Sequence, residues 1–196
     1  MKKIAALLLA MAMLLPALAM AETVAAPAVH TFDFGTFTID LAENDYYQVA
    51  EEMTDNTVYL QVYPAYNDAD TMHPNFNVVW TTQDPSLAIK LYGAENYAKL
   101  GQQQAKAQYD QMGIVVTDAQ VLNATFEDGI GAFLTASTLD YTGMGINLVS
   151  TIYQLQVFMC MDDAGTYIFT FSADTMEKVE EISAYLDTVV FPTAEE

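Results

Sequence analysis

The sequence predicts an α+β fold: an antiparallel β-sheet flanked by helices, arranged as an α/β/α sandwich. Three observations predict it. Short runs of alternating apolar and polar residues lie on both sides of one long helical stretch. The runs after that stretch are separated by turn-forming residues, and tight turns make antiparallel neighbours. The last runs are apolar on both sides, so both faces of the sheet need a cover.

The elements follow in order. Residues 1–21 read as a secretory leader. Lys2 and Lys3 precede the apolar run Ile4–Leu15, Pro16 ends it, and Ala19-Met20-Ala21 is a small-x-small cleavage pattern. Cleavage there makes Glu22 the new N-terminus and sends the protein out of the cytoplasm, to a secreted or periplasmic location. No later apolar run reaches the roughly 18 residues of a membrane span. No Cys follows the cleavage site to carry a lipid anchor. Residues 22–31 read as a flexible lead-in, 32–191 as a single α+β domain and 192–196 as a tail.

Phe32–Leu41 (FDFGTFTIDL) alternates and reads as one strand. Thr57–Tyr63 is a second, with Val58, Leu60 and Val62 on one face and Tyr59, Gln61 and Tyr63 on the other. Pro64 ends it. Asn75–Thr82 is a third, launched by His73-Pro74. The period then changes. After Asp84-Pro85, the positions Leu87, Leu91, Ala94, Ala98, Gly101, Ala105, Gln108 and Met112 make one helical stripe, broken at Gly93 and closed by Gly113. Strands follow at Ile114–Phe126, Ile130–Tyr141, Ile146–Met161 and Tyr167–Ser172, with turns at Gly143–Gly145 and Asp162–Gly165. Asp174 and Glu177 form a capping-box-like start for a last helix, whose stripe is Val179, Ile182, Leu186 and Val189.

This pattern resembles the Mog1/PsbP-like fold family, including the DcrB-like exported proteins of bacteria. The resemblance covers roughly residues 32–191. It is carried by FGTFTIDL, by NFNVVW, by the helix ending in YDQMGI, by the meander Gly131–Ala173, and by the closing helix with VVF. The chain departs from the family where a Pro-x-x-Trp-like element often follows the first strand; here Ala42–Tyr47 reads AENDYY. The resemblance implies a fold and accessory or partner-binding roles, and it carries over no site residue.

Composition excludes more than it selects. The chain holds 26 acidic and six basic residues, has no Arg, and carries a formal net charge of −20. Nucleic-acid binding rests on Lys and Arg neutralising phosphates, and this chain would repel them. A protein partner, or a neutral or cationic ligand, stays open. One Cys, Cys160, permits no intrachain disulfide. Only His30 and His73 could serve a nucleophile as base, and no Gly-x-Ser-x-Gly or phosphate-loop motif occurs.

Two surfaces merit attention. The rings of Tyr59 and Tyr63 offer a ligand surface on their strand. The loop Asp68-Ala69-Asp70-Thr71-Met72-His73 places Asp68, Asp70 and His73 close together as weak metal ligands, but it fails calcium-loop spacing and lacks the further His or Cys that zinc wants. The expectation is therefore an exported, non-catalytic binding or accessory module without cofactor that acts through a protein partner. Cation or metal binding is the alternative, and hydrolysis a distant one.

Overall fold

The structure, a computed structural model, describes residues 29–33, 36–65, 73–161 and 165–191. They fall into two compact units: one runs to Asp45 and resumes at Ala184, and the other is Tyr46–Ser183.

In the first unit β1 (Val29–Asp33) and β2 (Thr38–Ala42) form an antiparallel hairpin, with Phe32 opposite Ile39 and Asp33 opposite Thr38. The single strand expected over Phe32–Leu41 is thus two strands. Strand pairing also begins at Val29, inside the expected lead-in, and takes His30 with it. Alternation along β2 buries Ile39 and Leu41, and Phe37 just before it. The C-terminal segment returns to this hairpin. Thr38 and Val190 exchange backbone bonds of 2.8 and 3.0 Å. The Thr188 hydroxyl accepts the Asp40 N–H at 3.1 Å and donates to the Tyr185 carbonyl at 2.8 Å. The Tyr185 hydroxyl donates to Asp45 at 2.6 Å, and the same carboxylate oxygen accepts the Ala42 N–H at 2.8 Å.

The second unit is a seven-stranded antiparallel sheet in the order β3-β4-β5-β9-β8-β7-β6. Its strands are β3 (Tyr46–Val49), β4 (Thr57–Tyr63), β5 (Asn75–Thr81), β6 (Val115–Glu127), β7 (Ile130–Asp140), β8 (Val149–Met161) and β9 (Gly165–Ala173). The α+β class and the antiparallel sheet stand as expected. The turn expected at Asp162–Gly165 lies mostly outside the described residues, while β8 and β9 pair antiparallel on either side of it. Strand β3 was not foreseen. All four of its residues are exposed, so it has no apolar alternation to read.

One face of the sheet is a continuous apolar layer set by register. Leu60 and Val62 on β4 face Val78 and Phe76 on β5; these face Phe169 and Phe171 on β9, which face Val157 and Leu155 on β8. All eight are buried. The Phe76 and Phe171 rings lie 5.2 Å apart. A bulge between Val58 and Leu60 breaks the expected face sharing, because Val58 pairs with Val79 and stays exposed while Leu60 and Val62 are buried.

The long helical stretch is two helices, α1 (Ser86–Tyr92) and α2 (Ala94–Gln111), split at Gly93 as expected. The expected stripe is corrected. Leu87, Leu91 and Met112 are exposed, and Ile89 is the residue of α1 that is buried. Gly93 adopts φ +82°, which resets the helical phase so that the two helices do not share one stripe. The face that packs is Ala94, Tyr97 and Ala98, over Phe133, Phe158 and Ile168. Gly113 closes α2 as expected with φ +80°: its N–H bonds the Asp110 carbonyl, and the Ile114 N–H bonds the Tyr109 carbonyl.

Helix α3 (Met176–Ser183) lies against β9 and β8. Val179 and Ile182 are buried as expected, and the chain tightens into a 3-10 turn from Ala184, so Leu186 and Val189 follow outside the α-helix. The cap is Thr175, whose hydroxyl oxygen accepts the Lys178 N–H at 3.2 Å. Asp174, the expected cap, instead lies 2.9 Å from the Lys178 ammonium, with only 15% and 8% of their side chains exposed.

Two substitutions test the two-faced sheet. Phe171→Ala should cost roughly 3–5 kcal/mol in chemical denaturation. Ser172→Ala, its neighbour on the opposite face, should cost about 1 kcal/mol, the worth of one hydrogen bond. Equal costs would contradict the assignment. The ion pair gives a second test: Asp174→Ala leaves a buried ammonium and should cost about 3 kcal/mol.

Candidate functional site

The second face of the sheet is built from the residues that alternate with the core. Register puts Gln61 on β4 beside Asn77 on β5, Asn77 beside Thr170 on β9, and Thr170 beside Gln156 on β8. The next row is Asn75, Ser172 and Gln154. At the edge, Tyr46 pairs with Tyr63, their rings 6.0 Å apart, and Gln48 pairs with Gln61. Every side chain in these rows is polar and uncharged.

Helices cover the apolar clusters of this face, while Val58, beside Val79, stays exposed. Tyr97 of α2 packs on Phe133 and Phe158 at 5.8 and 6.2 Å. Near the end of α2, Tyr109 packs on Leu139 and Ile152. Between these contacts Gln102 of α2 donates to the carbonyls of Gln120 and Ala136. An amphipathic helix gains burial only over apolar side chains, so α1 and α2 stop where the glutamines and asparagines begin. The amides there are half-buried and spend little of their capacity on the protein. Gln154 bonds Ser172 at 3.1 Å, Gln156 reaches Thr170 at 3.4 Å, and Gln61 bonds Asn75 and the Phe76 carbonyl.

The expected site residues are dispersed. Tyr63 lies on the rim of this polar face, stacked with Tyr46. Tyr59 sits at the bulge of β4, where burial and the neighbouring Tyr167 push its hydroxyl pKa up. The bulge interrupts the regular alternation between them. His73 is exposed just before β5, and its carbonyl accepts from Asn75 at 3.2 Å. Asp68 and Asp70 lie outside the described residues. Among the described residues no three His, Cys, Asp or Glu side chains are placed to hold a metal ion.

A cavity of about 510 Å³ opens at the far end of the sheet, between the start of α1 and the β6–β7 turn. Asp84, Lys90, Cys160 and Thr166 are among its lining residues. The Ser86 hydroxyl and N–H, the Cys160 thiol and the Lys90 charge hold the Asp84 carboxyl below the usual range. Cys160 is half-buried, and no histidine is among the described lining residues to act as its base. Among the described residues no helix is long and apolar enough to cross a membrane.

The polar rows were missed in the sequence because they are assembled from four strands. Their signal is local nonetheless: N-F-N at 75–77, Q-L-Q at 154–156 and T-F-S at 170–172 place uncharged polar residues where an acidic chain commonly places charge.

Burial also pushes the Tyr97 and Tyr109 hydroxyls above the ordinary value of 10.0. The folded chain then keeps these protons at a pH where the unfolded chain has released them, so stability should fall as pH rises above about 10. Tyr97→Phe should flatten that fall, as read by denaturation at stepped pH; an unchanged slope would contradict the burial of its hydroxyl.

No protein-family model and no curated protein matches the sequence. Solved structures do match. The solution structure of cyanobacterial PsbP (CyanoP) from Synechocystis sp. PCC 6803 is similar over 89% of this chain and 99% of that one, at 13% identity and TM-score 0.51. The crystal structure of the Saccharomyces cerevisiae Ran-binding protein Mog1p is similar over 85% and 96%, at 10% identity and TM-score 0.50. These likenesses reach the fold and no further: the chain has a Mog1/PsbP-like α+β fold.

Proposed function

We propose that the chain is an exported, non-catalytic binding or accessory module whose contact surface is the open polar half of the sheet. One observation carries this reading. Five half-buried amides, Gln61, Asn75, Asn77, Gln154 and Gln156, lie in two rows across β4, β5 and β8, with the buried hydroxyls of Thr170 and Ser172 on β9 between them, outside the clusters that α1 and α2 cover. A sheet face of this kind presents donors and acceptors in a fixed array on rigid strands, which favours recognition over chemistry. The described residues supply no nucleophile with an adjacent base, and the fold likeness is compatible with a binding role. Export rests on the leader at residues 1–21, in keeping with the resemblance to DcrB-like exported proteins.

Immobilised protein should retain cell-surface material from the producing cell, and Asn77→Arg with Gln156→Arg should reduce that retention at least tenfold. Equal retention by both proteins, or none by either, would contradict the reading. Export has its own check: N-terminal sequencing of the protein recovered outside the cytoplasm should begin at Glu22, and an intact Met1 there would count against the leader.

A further inference from the structure

Resting on that binding surface, we infer that its ligand is a neutral glycan, a linear chain of uncharged sugars lying across the strands.

The face selects by what it lacks as well as by what it offers. A chain with 26 acidic residues places none of them in the rows Gln61–Asn77–Thr170–Gln156 and Asn75–Ser172–Gln154. It places no lysine there either. Among the described residues of these rows a charged ligand finds no counter-ion, whereas an uncharged one needs none. The centre of a protein–protein interface is apolar and anchored by aromatic side chains or arginine; the partly exposed side chains at the centre of this face are amides, bonded to the buried hydroxyls of Thr170 and Ser172.

Amides and hydroxyls are matched to sugar hydroxyls because both partners donate and accept. The hydrogen-bond inventory leaves room for that. The Gln154 and Gln156 side chains each make one bond to a neighbouring hydroxyl, so the other end of each amide is unspent. Gln61 uses one end of its amide on Asn75 and Phe76 and leaves the other. These groups are half-buried, which holds them in place while keeping them within reach.

The edge supplies what amides cannot. The Tyr46 and Tyr63 rings, 6.0 Å apart and partly exposed, offer apolar surface with a polar tip. Such a surface suits the C–H face of a sugar ring. From β3 to β8 the array spans four strand spacings, roughly 19 Å, so the occupant is an oligomer and not one sugar.

The test is a glycan array of neutral and acidic oligosaccharides, followed by amide-shift mapping with maltohexaose, cellohexaose, laminarihexaose and chitohexaose as probes. At least one neutral probe should bind saturably, shifting the amides of Gln61, Asn77, Gln156 and Thr170. Asn77→Ala with Gln156→Ala, and separately Tyr63→Ala, should weaken it at least tenfold without changing the melting temperature. Heparin should not bind this face. The inference is overturned if no neutral glycan binds, if the shifts map elsewhere, or if both variants bind as the parent does. Cell-surface material whose retention depends on this face, resists periodate and is lost on protease treatment overturns the glycan while leaving the binding module standing; retention indifferent to the face removes both.

Discussion

The placement of β9 between β5 and β8 is the constraint on which the sheet depends. Phe169 and Phe171 are fully buried and look toward one face, while Thr170 and Ser172 look toward the other. A slip of one residue would exchange the two sets and put hydroxyls into the apolar layer. The neighbours fix the register from both sides, since Phe76 and Val78 on β5 and Leu155 and Val157 on β8 repeat the same alternation. The apolar face and the polar face are therefore a single fact about these strands, and neither could exist without the other.

The helices follow from it. On the polar-face side, the apolar residues that meet α2 gather at Phe133, Phe158 and Ile168 and where Leu139 meets Ile152. Helix α2 spans those two clusters with Tyr97 at one end and Tyr109 at the other, and it bridges the polar interval with Gln102. Beyond that line half-buried amides interrupt the apolar surface, which returns as the Tyr46 and Tyr63 rings at the edge. A helix pair that covered the whole face would have to desolvate those amides without pairing them, at a cost of about 1–3 kcal/mol for each group left unsatisfied.

Much of this was legible in the sequence, and what was not has physical causes. Strands β4 and β5 were readable because Leu60 and Val62, and Phe76 and Val78, alternate with polar residues. Gly93 and Gly113 marked the helix break and the helix end because both backbones lie at positive φ. Strand β3 could not be read, since an edge strand exposed along its length has no burial to impose a pattern. The hairpin of β1 and β2 was merged into one strand because alternation runs through the turn. The bulge at Tyr59 adds a residue without a sequence mark, so the regular alternation read from Val58 to Tyr63 is interrupted there. The polar rows needed four registers at once, from Gln61 to Ser172, and no single motif carries them.

The central claim is that the amides on one face of β5 and β8 stay within reach of solvent while the other face is sealed, and cysteine labelling tests it most directly. In a Cys160→Ser background, a thiol introduced by Asn77→Cys or Gln156→Cys should react with a maleimide in the native protein without global unfolding. A thiol introduced by Val78→Cys or Val157→Cys, one position along on the same strands, should stay protected until global unfolding. Protection of the Asn77 and Gln156 positions equal to that at Val78 and Val157 would mean that the polar face is covered, and the account of a binding surface would be contradicted.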